Sequence, residues 1–242
     1  MNDIDIIKDF YKNEKDSERL IAEALERLDS GEPAAYIIGE WYFWRYTFKV
    51  NKSCLIPRPD TEIIVEKAIS EIPKNSVFAD LCTGSGCIAI SILGERPDLR
   101  AVAYDISKEA LEAAKENARL IGVSDRLEFM NCDLLKEDDL GERFFGAIIS
   151  NPPYIRTDVI ADYPDLAREP QIALDGGADG LIFYRHFVSK FSKNLAEGSP
   201  FIFEIGFDQA NEIKCLAREY NFDCEIKKDY GSNDRAAILK LS

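Results

Sequence analysis

From Ser76 onward the chain alternates short apolar runs with amphipathic stretches, and this alternation restricts the fold more than any other feature. Runs at 77–82, 101–105, 127–131, 145–150 and 200–205 are predicted strands. Segments 88–93, 108–121 and 208–220 carry helical periodicity, as does a stretch ending near residue 195 after a loop from 154 to about 180. Such alternation calls for an α/β fold, a mostly parallel sheet with right-handed crossovers and helices on both faces. In such sheets ligands lie outside the carboxyl ends of the strands. A last strand or hairpin covers 224–241.

The region before Ser76 reads differently. Residues 4–29 space Ile6, Ile7, Phe10, Leu20, Ala24 and Leu28 as one or two amphipathic helices would. Gly31-Glu32-Pro33 breaks that pattern, and the aromatic, β-branched stretch 36–50 predicts a hairpin. The proline-rich segment 56–62 then predicts a rigid loop entering a helix, with Thr61 or Asp60 as N-cap. The expected division is a helical segment over 1–30, hairpin and linker over 31–62, and a catalytic domain over 63–242.

Composition narrows the function. With 30 basic and 44 acidic side chains the formal charge is −14, and no basic block is present, which disfavours nucleic acid as a partner. The six cysteines form no CxxC pair and have one histidine, His186, beside them, so a zinc site is disfavoured and the thiols read as small apolar residues of a reducing cytoplasm. His186, on a helix, reads as structural. No apolar run is long enough to cross a membrane. A monomer is the default.

Two motifs carry chemistry. Asp80-Leu-Cys82-Thr83-Gly84-Ser85-Gly86 follows a predicted strand and opens a helix, where glycines let the backbone approach a ligand. The next strand ends at Asp105, about twenty residues on, where a carboxylate takes both ribose hydroxyls of a nucleoside. The following strand ends near Asp133-Leu134, beside the expected adenine. The loop lacks the third glycine that packs beneath a pyrophosphate, so a nucleoside without phosphates is favoured. S-adenosylmethionine fits, its cationic end facing Asp80. The second motif, Asn151-Pro152-Pro153-Tyr154, ends another strand with a planar amide, rigid carbonyls and an aromatic face, a set suited to holding a planar amino or amide nitrogen.

With these in order the chain resembles class I S-adenosylmethionine-dependent methyltransferases, and more narrowly the release factor glutamine methyltransferases. The resemblance extends to Gly31-Glu32-Pro33, the run from Leu55 to Glu62 that includes Arg58, Glu169-Pro170, Ala173-Leu174, Asp179-Gly180-Leu181, Glu204-Ile205-Gly206 and Asp229-Tyr230-Gly231. It implies a seven-stranded Rossmann-like sheet whose last strand is antiparallel. It also implies methyl transfer to the glutamine of a Gly-Gly-Gln tripeptide in a peptide chain release factor. On this resemblance Asn151 Oδ1 and the Pro152 carbonyl accept the amide N–H groups, Tyr154 stacks on the amide plane, and Arg58, Pro153 and Glu169 border the substrate. Asp80, Cys82, Thr83, Gly84, Ser85, Gly86, Asp105, Asp133, Leu134 and Asn151 border the cofactor.

Two departures stand out. Family members carry several helices before Gly-Glu-Pro, whereas about thirty residues precede it here, which bears on partner docking. Cys82 stands where the family has glycine, and a cysteine there is expected to need φ below zero. Three other readings share parts of the pattern. An adenine amino methyltransferase would use the same four residues on a flipped base, a non-catalytic S-adenosylmethionine-binding protein would keep the fold alone, and a nucleotide-dependent dehydrogenase is disfavoured by the glycine spacing.

Overall fold

The computed structural model describes residues 2–162 and 168–242. Three helices lead the chain: α1 (Asp3–Tyr11), α2 (Ser17–Asp29) and α3 (Ala34–Ile38). Ile7, Ala24, Ala34 and Ile37 close a small core among them. The third helix corrects the sequence reading, which placed 36–38 in the hairpin. Pro33 starts the helix and Gly39, at φ 73°, ends it, so these terminators outweigh the β-propensity of Tyr36-Ile37-Ile38. Gly31 has φ 87°, and a Cβ there would lie within 2.0 Å of the Arg168 guanidinium. The turn therefore needs glycine both for its conformation and for the passage of that side chain.

The hairpin is β1 (Glu40–Phe43) with β2 (Tyr46–Lys49), in antiparallel register from Glu40 opposite Lys49 to Phe43 opposite Tyr46. Then follow α4 (Glu62–Glu71), β3 (Val77–Leu81), α5 (Cys87–Glu95), β4 (Arg100–Asp105), α6 (Lys108–Ile121), β5 (Leu127–Asn131) and β6 (Ile148–Ser150). The short α7 (Thr157–Asp162) falls inside the stretch expected to be loop, whose residues 163–167 lie outside those described. The chain ends with α8 (Ile182–Phe191), β7 (Phe201–Glu204), α9 (Ala210–Glu219), β8 (Phe222–Lys228) and β9 (Asp234–Leu241).

The large sheet has seven strands in the order β5-β4-β3-β6-β7-β9-β8, all parallel except β9. The chain moves outward from β3 to β5 and then returns to β6 on the other side of β3. That return creates a switch point between β3 and β6, where the crevice of a doubly wound sheet opens.

Period-two alternation sorts the strand side chains between two cores. Phe78, Ala101, Ala103, Ile149 and Ile202 face α4, α5 and α6, while Ala79, Leu81, Val102, Ile148, Phe201 and Phe203 face α8 and α9. The same alternation puts the last side chain of β7, Glu204, on the α4 side, and that of Asp80 against α5. Both carboxyls are buried in positions that apolar residues occupy elsewhere.

Candidate active site

The β3–α5 loop forms one wall. Cys82, Gly84 and Gly86 all take positive φ (58°, 56° and 80°), so the chain folds back tightly between strand and helix. This corrects the expectation of negative φ at Cys82: the loop keeps the left-handed conformation that glycine would favour, and the cysteine adopts it at a cost of about 1–2 kcal/mol. Gly84 and Gly86 have different duties. A Cβ on Gly84 would meet only Cys54, at 3.9 Å, because the position opens on a cavity. A Cβ on Gly86 would lie 2.7 Å from Ile90 and 3.1 Å from Ala114, so that glycine lets α5 pack against α6 and is not among the cavity's lining residues.

Asp80 also differs from the reading that turned it toward a ligand. Its side chain lies fully buried behind the loop, where Oδ2 accepts from Thr83 Oγ1 (2.6 Å) and from the Ala89 N–H (3.2 Å). Oδ1 has no hydrogen bond. Burial pushes its pKa up to about 7, opposed by those two donors. The carboxyl thus braces the loop from beneath. Asp105 does line the cavity, accepting from the Gly84 N–H (2.8 Å) and the Ser107 N–H (2.9 Å), with burial raising its pKa. Asp133 lines it too, and its side chain caps the following turn at Leu135 N and pairs with Lys136.

The cavity measures about 290 Å³. Thr83, Ser85 and Leu134 complete the cofactor-side lining predicted from the sequence, and Cys54, Cys82, Cys87 and Cys132 all contribute to the wall. An apolar groove with one carboxylate at the end of β4, beside the N-terminus of α5 and a glycine without steric cover, suits a nucleoside without phosphates. Among the described residues, no cluster of His, Cys, Asp or Glu could hold a metal ion.

The opposite wall is built from β6. Asn151 and Pro153 line the cavity. Asn151 Nδ2 donates to Thr61 Oγ1 at 3.3 Å, which leaves Oδ1 as the free end of the amide. Among the described residues the Pro152 carbonyl accepts no hydrogen bond, but Pro152 is buried and, against expectation, is not among the lining residues, because the rigid proline pair turns Pro153 and not Pro152 to the cavity. Tyr154 departs from the stacking role: its ring packs against the α8–α9 core, its hydroxyl donates to Glu204 Oε1 (3.2 Å), and it is not among the lining residues. Gln209 holds this corner by donating from Nε2 to the carbonyls of Tyr154 and Gly180. A Cβ on Gly180 would lie 2.4 Å from the Tyr154 oxygen.

Arg58 lines the cavity, whereas Glu169 lies buried outside it. Glu169 pairs with Arg58 and accepts the Ile56 N–H at 3.0 Å, tying its own segment to the rim loop. It is a strap and not part of the channel. Thr61 stands at the N-cap position of α4 but makes no capping bond, because its backbone is already helical and its hydroxyl is turned to Asn151.

Sequence reasoning assigned no role to Thr61 beyond capping, to Glu204, or to Asn117, which joins the hairpin to the cofactor loop by donating to Lys49 O (3.0 Å) and Ser85 O (2.9 Å). The signal for Glu204 was there, since an acidic residue ends an otherwise apolar strand. His186 makes a structural contact, its Nε2 lying 2.8 Å from the Glu137 carbonyl oxygen.

The chain is similar to known proteins. The family model for the methyltransferase small domain matches residues 60–164. The release factor glutamine methyltransferase of Caulobacter vibrioides is 36% identical over 241 residues, covering 97% of this chain and 82% of the relative. That of Neisseria gonorrhoeae is 41% identical over 217 residues, covering 89% and 79%. Among solved structures, a release factor-specific protein-(glutamine-N5) methyltransferase from Alicyclobacillus acidocaldarius is 32% identical, with a TM-score of 0.50, covering 81% of this chain and 99% of that one. A methyltransferase from Pyrococcus furiosus, 15% identical with a TM-score of 0.60, shares the fold.

Proposed function

The chain belongs to the release factor glutamine methyltransferase family, and from that premise we propose that it methylates the side-chain amide nitrogen of a release factor glutamine, within a Gly-Gly-Gln tripeptide, using S-adenosylmethionine. When bound, S-adenosylmethionine supplies an electrophilic methyl carried on a sulfonium. Thr83, Gly84, Ser85, Asp105, Cys132, Asp133 and Leu134 are the residues that would hold it.

The observation that carries the reading is Asn151 Oδ1, the free end of an amide on the cavity wall at the end of β6; the neighbouring Pro152 carbonyl, also without a hydrogen bond among the described residues, would serve as the second acceptor. A primary amide nitrogen is a weak nucleophile because its lone pair is delocalised into the carbonyl. Two acceptors on its N–H groups fix its orientation and stabilise the pyramidal geometry of the transition state, which localises the lone pair. No base is needed before transfer; the proton leaves the methylated nitrogen to water. Pro153 and Arg58 border the entering peptide, and Tyr154 anchors the motif from behind. The chain spans about four fifths of the length of the Caulobacter vibrioides and Neisseria gonorrhoeae relatives. We propose a cytoplasmic monomer acting on protein and not on nucleic acid, in keeping with the acidic charge.

The test is transfer of labelled methyl from S-adenosylmethionine to a purified release factor, to the same factor with Glu replacing the tripeptide Gln, and to a DNA duplex. Label on the Gln protein alone is the expected result. Label on DNA, or equal label on the Glu variant, overturns the assignment.

A further inference from the structure

Asn151 can serve as an acceptor only if its carboxamide presents oxygen, and not NH₂, to the substrate, because the substrate amide is itself a donor. Something must hold the amide that way round. Behind it, Thr61 Oγ1 accepts from Asn151 Nδ2 at 3.3 Å. Thr61 is buried at the N-cap of α4 and its hydroxyl faces the carboxyl of Glu204, also buried, whose Oε2 makes no hydrogen bond in the structure. The Tyr154 hydroxyl already occupies Oε1.

We propose that Thr61 and Glu204 are positioning residues that set the polarity of the Asn151 amide, and so determine whether the site accepts a glutamine side chain. The proposal rests on the assignment of Asn151 made above. An ionised carboxylate can only accept hydrogen bonds. Thr61 has a single hydroxyl proton, and once directed at Glu204 Oε2 it leaves the hydroxyl oxygen with acceptor capacity alone. Asn151 must then offer Nδ2–H to Thr61 and Oδ1 to the cavity. Protonating Glu204 reverses the chain. The carboxyl donates to Thr61, the threonine proton turns toward Asn151, and the amide rotates to present NH₂ to a substrate that also presents NH₂.

Glu204 is placed to make this switch near neutrality. Burial pushes its pKa up to about 7, opposed by the Thr61 hydroxyl, the Arg235 charge and the Tyr154 hydroxyl, while Asp60 raises it. The other groups facing it are the Tyr184 hydroxyl, which donates to the Glu204 backbone carbonyl at 2.7 Å, and the Cys87 thiol. Arg235 is shared with Asp229, at 3.1 Å, and Asp60, at 3.6 Å, so its charge is divided among three carboxylates.

The experiment is kcat and KM as functions of pH across the neutral range, with the Gln-containing release factor, for wild type, T61V, T61S, E204Q, D80N and N151A. Binding of S-adenosylhomocysteine and thermal melting are followed for each. Wild-type kcat should rise to a plateau through about pH 7. T61V should lower plateau kcat roughly tenfold or more with KM for the cofactor unmoved, and T61S should recover most of that loss. E204Q should lose the acid limb, while D80N, which removes the other buried carboxyl of similar pKa, should keep it.

The proposal is overturned if folded T61V retains wild-type kcat and acid limb, or if the limb disappears in D80N instead. If E204Q fails to fold, the T61V and T61S pair decides. Loss of activity in N151A with none in T61V sinks this inference alone, whereas full activity in N151A sinks the assignment of Asn151 on which it rests.

Discussion

Asp80, next to last in β3, and Glu204, last in β7, are both fully buried, both pushed to about pKa 7, and each has one carboxyl oxygen lacking a partner. Their wiring differs. Asp80 takes its hydrogen bonds from Thr83 and Ala89, within its own strand-loop-helix unit. Glu204 is reached from the start of α4, from the β6 motif and from β9. A locally wired carboxyl stiffens one loop, whereas one wired across the fold couples segments that meet only when the sheet is complete. The cofactor wall is therefore a local structure and the acceptor wall a tertiary one.

The largest expected effect lies on the acceptor wall. Asn151→Ala should lower kcat about 10²-fold, with cofactor affinity within about threefold of wild type, because it deletes an acceptor used most fully in the transition state. Isothermal titration with S-adenosylhomocysteine beside steady-state kinetics separates the two quantities, and an equal loss in both would erase the distinction between the walls. Next, Asp105→Asn should weaken cofactor binding by roughly tenfold while kcat at saturation changes little, since hydrogen bonds to a charged group contribute about 1.5–3 kcal/mol. A kcat collapse with unchanged affinity would place Asp105 on the wrong side of the comparison.

Stability should change with pH through the same two carboxyls. Their folded pKa of about 7 exceeds the unfolded carboxyl value of about 4, so the native state holds more protons between those limits. Their contribution to stability is full below about pH 4, falls as pH rises through 7 and levels off above it. Asp80→Asn should flatten part of that slope in urea melts at a series of pH values. An unchanged slope would mean that the folded pKa of Asp80 lies close to its unfolded value. The smallest effect is expected from Cys82→Gly, which relieves the left-handed backbone at φ 58° and should stabilise the protein by up to about 1 kcal/mol, less whatever packing the thiol contributed. Destabilisation would show that the thiol's contacts with the core outweigh backbone strain.

The same division explains what could be read from the chain. The bounds of β5 and α6 followed from periodicity, because apolar spacing and the capping pair Ser107 and Gly122 act within a few residues. The Asn151–Tyr154 motif and Asp105 were likewise legible as residues placed at strand ends. By contrast, α3 was hidden because its β-branched and aromatic content speaks for a strand, and only the terminators at each end decide. The inward turn of Tyr154 and the bond from Asn151 to Thr61 depend on partners from other elements of the sheet and its helices, which no local pattern encodes. Glu169 misled for the same reason: it was expected to border the substrate, and its partners Ile56 and Arg58 lie more than a hundred residues upstream.

The four cysteines of the cavity wall have a chemical consequence. A pocket that holds a methyl donor is a pocket that holds an alkylating agent, and a thiolate is a far better nucleophile than a carboxamide. Burial raises the pKa of Cys54, Cys82, Cys87 and Cys132, the last to about 11 and with neighbouring carboxylates adding to the shift. Near neutral pH these sulfurs remain almost wholly in the thiol form. The dryness of the wall thus passivates it, keeping the strongest nucleophiles in the site from taking the methyl group meant for the weakest.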